Sequence, residues 1–226
     1  MGASVQKMKG CQNKKAIDLS AFYKDKILKP FQAIYYVYLN SGVLEILDKM
    51  KQDDMTVFDT VEMEQLLGKS NINKLKKIQY SEKFCKSVLE ANNIYNLNLH
   101  IQQRKTEDTT TKNLKIEINV DSLLASFMSG IVINMLNDLE FFAMHFTHNS
   151  ADESVVFQSL HQTYIQIVKN LYYNISKTNI AYEGKYYTNI IELYEIWYER
   201  SEGQKKQARN SPRHNTSKGT TINKNN

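Results

Sequence analysis

Residues 122–146 read SLLASFMSGIVINMLNDLEFFAMHF, and their spacing decides the fold class. Leu123, Leu124, Phe127, Ile131, Met135, Leu139, Phe142 and Phe146 recur every three or four positions, and Val132, Leu136 and Ala143 widen the stripe. That period marks a helix with a broad core-facing side. Asn149-Ser150 ends it and offers a cap for a second helix, whose first turn carries Asp152 and Glu153 near the positive dipole end. Val155, Val156, Leu160, Tyr164, Ile167, Val168, Leu171 and Ile175 carry the second helix to about Thr178. Beyond the hinge at Gly184, a third runs through Ile190, Leu193, Tyr194 and Trp197. Residues 122–200 thus form a three-helix C-terminal unit. From Ser201 no apolar period survives, and 201–226 reads as a disordered basic tail.

On the N-terminal side, residues 1–15 are polar and read as a flexible terminus, and 16–121 as a helical part with a β-hairpin insertion. Ile17, Phe22, Ile27 and Leu28 keep helical spacing; after Pro30 it continues with Phe31, Ile34, Tyr35, Tyr38, Leu39, Leu44 and Leu47. Pro30 suits the first turn of a new helix, and Gly42 weakens that helix. Thr56 can cap a helix to about Leu67, Gly68-Lys69-Ser70 reads as its end, and a further helix fits Ile72 to Leu89. The period then changes to two. Leu97, Leu99 and Ile101, then Leu114, Ile116, Ile118 and Val120, alternate with polar residues around a polar stretch, which predicts a β-hairpin at about 95–120. The fold class is mainly α, a helical bundle with that small hairpin.

The formal net charge is +5. The excess sits at the ends: Lys205, Lys206, Arg209, Arg213, Lys218 and Lys224 lie in the tail, Lys7, Lys9, Lys14 and Lys15 at the start, and residues 16–200 are mildly acidic. Basicity therefore says nothing about a binding face on the folded body. Two cysteines, Cys11 and Cys85, make no disulfide framework and no zinc spacing. The N-terminus has no apolar signal core. The uncharged run Pro30 to Leu44 falls short of the roughly 20 residues a spanning helix needs. Position 6 is Gln, which spoils a myristoylation signal. A cytoplasmic protein without a membrane role is expected.

The run Ile133-Asn134-Met135-Leu136-Asn137-Asp138-Leu139-Glu140-Phe141-Phe142-Ala143, the acidic Ala151-Asp152-Glu153, and the terminal Tyr186-Tyr187, Leu193-Tyr194 and Trp197 together resemble a bacterial family. It is the helical domain-of-unknown-function family 4760, with its L-N-x-x-E-x-x-A pattern, acidic helix start and tyrosine–tryptophan final helix. The resemblance covers roughly residues 120–200 and implies a helical fold and no catalytic residues. Members often carry an N-terminal membrane helix, for which this sequence shows no candidate.

Glu140 and Asn137 lie beside the apolar stripe, and a carboxylate there must reach water or find donors. Tyr186, Tyr187, His161 and Asn137 are the candidate donors, and a structural polar clamp between helices is the expected role. His145 and His148 share a helix face near Asp152, Glu153 and His161, yet no metal-binding signature is present, so no metal site is expected. The absence of a Gly-rich phosphate loop, nucleophile elbow or Cys–His pair leaves no cofactor and no catalytic residue to name.

Three functions compete. The leading one is a non-enzymatic interaction or regulatory module of bacterial or mobile-element origin, with a protein partner or a second copy of the chain. Tyr172, Tyr173, Tyr186 and Tyr187 could face such a partner or belong to the core. The alternative is a winged-helix-like nucleic-acid binder. In that reading a helix over 69–86 presents Lys74, Lys76, Lys77, Lys83 and Lys86, the 105–112 loop forms the wing, and the basic tail adds phosphate affinity. The weakest is an RNase: Arg209-Asn210-Ser211-Pro212-Arg213-His214 resembles the Arg-Asn-x-x-x-His motif of HEPN ribonucleases, which would suggest phage defence. Pro212 interrupts it, and a disordered segment cannot hold an acid–base pair in register.

Overall fold

The computed structural model describes residues 2–48, 60–99, 119–181 and 186–210, and the regular elements among them are all helical. They are α1 (Gly2–Phe22), a π-helical segment (Tyr23–Leu28), α2 (Lys29–Ser41), α3 (Val43–Leu47), α4 (Thr60–Ile78), α5 (Glu82–Tyr95), α6 (Val120–Thr147), α7 (Phe157–Ala181) and α8 (Thr188–Asn210). A 3₁₀ turn, Glu153–Val155, leads into α7.

The N-terminal residues are not a loose end. Helix begins at Gly2 and continues without a break through the π segment into α2. Pro30 lies in the first turn of α2 as expected, but α2 continues directly from the π segment. The proline ring would press on the carbonyl four residues back, at Lys26, and the chain widens there into the π turn instead of stopping. Ala16, Leu19, Tyr23 and Ile27 follow one another into the core. Gln12 and Lys15 tie α1 to the turn after α6, donating to the Asn149 carbonyl (2.9 Å) and the Ser150 hydroxyl (3.2 Å).

Gly42 and Gly68 mark real breaks. Gly42 sits at φ 85° and caps α2, and Gly68 at φ 75° kinks α4 into two helical halves. The helix expected from Ile72 to Leu89 is two helices. Tyr80 and Ser81 turn the chain, and the Ser81 hydroxyl accepts from the Phe84 N–H (3.2 Å) to cap α5. The last helix also outruns its expected end at Arg200. Ser201 is still buried, the Lys205–Glu202 pair follows, and the run of Glu, Gln, Lys and Ala has enough intrinsic propensity to reach Asn210. The expected tail is therefore helical over 201–210, and 211–226 lies outside the described residues. The predicted hairpin falls mainly on residues 100–118, also outside them. At its edges, Tyr95 ends α5, Leu97 and Leu99 are in no strand, and Asn119 caps α6 by accepting from the Ser122 N–H (3.2 Å).

α6 is the axis of the bundle. It packs against α2, α5 and the π segment on one side and α8 on the other, while α7 lies against α8 and reaches α3 and α4. One hydrophobic core runs from Ala16 to Trp197, so the residues before and after 121 share an interior. α6 is also long and apolar enough to cross a bilayer by length and composition. Here Leu124, Met128, Val132, Met135, Leu139, Phe142 and Phe146 are buried against its neighbours.

Trp197, fully buried, closes the core at one end. Tyr164 lies 5.0 Å from it between ring centroids, Phe157 5.8 Å and Phe146 6.1 Å. The Tyr164 and Phe157 contacts are edge-to-face, and such packing adds about 0.5–1.5 kcal/mol per pair beyond area burial.

Candidate functional site

Glu140 projects from α6 onto the start of α8. Its Oε1 accepts from the backbone N–H of Asn189 (3.2 Å) and from that residue's side-chain amide (2.7 Å), and its Oε2 accepts from the Ile190 N–H (2.9 Å). The first N–H groups of a helix have no acceptor within it, and the positive dipole end favours a carboxylate. Three residues earlier on α6, the Asn137 Oδ1 accepts from the Tyr187 hydroxyl (3.3 Å). Thr147, at the end of α6, donates to the Asn189 Oδ1 (2.7 Å). Tyr187 is buried at φ 65°, a left-handed conformation that a bulky residue adopts only when its surroundings impose it.

Asn137, Glu140 and Tyr187 are thus brought to one junction, although Tyr187 bonds Asn137 and not the carboxylate. Tyr186 is 48% exposed, and its backbone N–H donates to Asn179 Oδ1 (2.9 Å). Asn189, which periodicity gave no reason to select, supplies two of the three donors to Glu140. Its signal was its place one residue into the last helix, where free N–H groups gather.

The other candidate groups of the C-terminal unit are engaged separately. Glu153 accepts from the Trp197 Nε1–H (2.9 Å) and forms an ion pair with Arg200, whose guanidinium lies 4.7 Å from the Phe157 ring centroid. His161 is buried, stacked on Phe157 at 4.4 Å with Nδ1 at 2.7 Å from the Phe157 carbonyl. His145 has Nδ1 at 2.9 Å from the Ser150 hydroxyl, and burial, followed by the charge of Lys15, holds its pKa below the usual histidine value. His148 is exposed, and Asp152 bonds Ser154 to cap the 3₁₀ turn. Among the described residues no three His, Cys, Asp or Glu side chains converge as a metal site would require. The Cys85 thiol donates to Asp121 (3.2 Å), and burial, with that carboxylate, pushes its pKa up to about 11, away from the reactive thiolate.

Lys74, Lys76, Lys77, Lys83 and Lys86 are all exposed, but on two helices. Lys74, Lys76 and Lys77 belong to α4 and Lys83 and Lys86 to α5, so the single groove-entering helix expected over 69–86 does not exist. The turn at Tyr80-Ser81 separates them. Arg209 and Asn210 end α8, and His214 lies outside the described residues. Tyr172 and Tyr173 are core residues.

What the surface offers instead is apolar. Leu28, Gln32, Tyr35 and Leu39 follow a 4-3-4 spacing along the outer side of α2 and its π-helical lead-in. Tyr35 is 39% exposed and Leu39 55%. Together with Phe31, Tyr36 and Tyr95 they line a shallow groove between α2 and the end of α5. Tyr36 stacks edge-on to Tyr95 (6.2 Å) and donates to Glu90 (3.1 Å), which fixes the groove wall. Tyr35 and Leu39 share the helical apolar period of α2 with residues that are buried. Its inner side already has Ala33, Ile34, Val37 and Tyr38 buried. Comparison with family models, curated proteins and solved structures finds no match to this chain.

Proposed function

We propose that this protein is a non-enzymatic helical interaction module that associates through the outer face of α2, and that the first occupant of this face is a second copy of the chain. One observation carries the reading: the row of half-buried Leu28 and exposed Gln32, Tyr35 and Leu39 is self-complementary. In an antiparallel pair Leu28 of one copy meets Leu39 of the other, and the Gln32 amide meets the Tyr35 hydroxyl. Such a two-fold contact is isologous, and its 4-3-4 spacing is that of a helical seam. The row is short, so the pair is weak, with a dissociation constant on the order of 10 µM after the cost of association.

The test is sedimentation equilibrium from about 1 to 200 µM. Wild type should pass from monomer to dimer, and Leu39→Glu should stay monomeric with unchanged thermal unfolding. A wild-type monomer at the highest concentration, or a Leu39→Glu dimer, overturns the proposal. The family resemblance of residues 120–200 and a cytoplasmic location are compatible with this reading.

Nucleic-acid contact is a second reading, favoured by the exposure of all five lysines on α4 and α5. Binding that survives removal of 211–226 and is lost when Lys74, Lys76 and Lys77 become Glu would support it, whereas binding that depends wholly on 211–226 would refute it. The ribonuclease reading has only the two residues Arg209 and Asn210 at the end of α8.

A further inference from the structure

A cavity of about 170 Å³ opens where α2–α3, α4, α5, α6 and α7 meet. Its inner wall is apolar. Leu75, Phe84, Met128 and Val132 line it and are nearly fully buried. Its polar lining residues are Gln79, Ser129 and, on α7, Asn174, Lys177 and Thr178. The Tyr38 hydroxyl donates to Asn174 Oδ1 (2.9 Å), which leaves the Asn174 amide N–H₂ as the group still able to donate. Thr178 is satisfied by the Asn174 carbonyl (3.0 Å). Lys177 is exposed and has no carboxylate within ion-pair distance among the described residues.

An apolar chamber lined by one cationic side chain, Lys177, and by neutral donors on Asn174, Gln79 and Ser129 has a defined chemical complement: a short apolar body with an anionic head. We propose that this cavity is a binding site for a small carboxylate with an apolar chain, seated with its chain against Met128, Val132 and Phe84 and its carboxylate on Lys177 and Asn174. The size agrees. A dry apolar cavity of about 150 Å³ holds a benzene ring, so this one suits a ring or a chain of about six carbons. The arrangement follows the usual pattern of small-molecule sites, an apolar lining with a few placed polar groups. The site uses neither the α2 face nor the Glu140 junction, so it stands apart from the association proposed above.

Hexanoate, hexanol and hexylamine, titrated separately into the full chain and followed by methyl-correlation NMR, test it. Hexanoate should shift the methyl signals of Leu75, Met128 and Val132 saturably, with a dissociation constant in the roughly millimolar to submillimolar range for so small a ligand. Hexylamine should bind at least roughly ten-fold more weakly, and Lys177→Glu should reduce hexanoate binding by a similar factor. Val132→Trp, which fills the cavity, should abolish the shifts. Ile133→Trp, at a lining position that is 42% exposed and tolerant of a large side chain, is the companion variant if the first fails to fold. Absence of methyl shifts, equal binding of hexylamine or hexanol, or full hexanoate binding by a folded tryptophan variant overturns the proposal.

Discussion

Replacing Glu140 by Ala removes the acceptor of three hydrogen bonds at the start of α8 and leaves the Asn189 and Ile190 N–H groups without a protein partner. A hydrogen bond to a charged group contributes about 1.5–3 kcal/mol. The junction is only partly buried, so water recovers about half of that for each donor. Loss of the favourable charge at the helix dipole adds about 0.3–1 kcal/mol. The sum is a destabilisation of about 3–5 kcal/mol, or a fall in Tm of roughly 6–20 °C for a domain of this size. Glu140→Gln keeps one acceptor oxygen and loses the charge, so it should cost about 1–2 kcal/mol. The assay is urea and thermal unfolding followed by the fluorescence of Trp197, the sole tryptophan, which lies on α8 two turns beyond Ile190. Hydrogen exchange at the Asn189 and Ile190 amides should accelerate in both variants, more in the alanine one. If Glu140→Ala loses less than about 1 kcal/mol, or the glutamine and alanine variants are equal, the carboxylate is not what anchors α8.

Three further outcomes follow from the C-terminal helices. Trp197→Phe deletes the Nε1–H bond to Glu153 and part of the ring contact with Tyr164 and Phe157, and should cost about 2–4 kcal/mol in urea unfolding, whereas Arg200→Ala at the exposed side of that carboxylate should cost under about 1 kcal/mol. For His145 the folded pKa is depressed, so the unfolded chain binds the proton more tightly. Its contribution to stability is full above the unfolded value of about 6.5 and is lost as the pH falls through the folded pKa. His145→Gln should flatten the stability profile in that acidic window, and a slope that persists unchanged in the variant assigns it to another group.

Helix type was written in local periodicity. The stripe of α6 could bury its apolar side only as a helix, and Gly42 and Gly68 broke the chain where a positive φ was needed. Glu140 could be named as well, since a carboxylate beside that stripe has to find donors. Its donors could not, because they are backbone N–H groups, identical at every residue and made available only by where α8 starts. Local reading also lost the turn at Tyr80-Ser81, where one serine outweighs a nearly continuous apolar period, and it stopped α8 at Arg200 because propensity without periodicity looks like a tail.

The sequence by itself determined a helical chain and the polar residue that must be satisfied beside α6. Only the tertiary structure decided which apolar residues are core. α2 has apolar residues on both sides, and the packing of α5 and α6 against one of them leaves Tyr35 and Leu39 on the other. The cavity beside Lys177 was equally out of reach, since its lining is drawn from stretches between Tyr38 and Thr178 and no local pattern records their meeting. Burial depends on which neighbour arrives, and a period of 3.6 residues gives the direction of a side chain without saying what waits there.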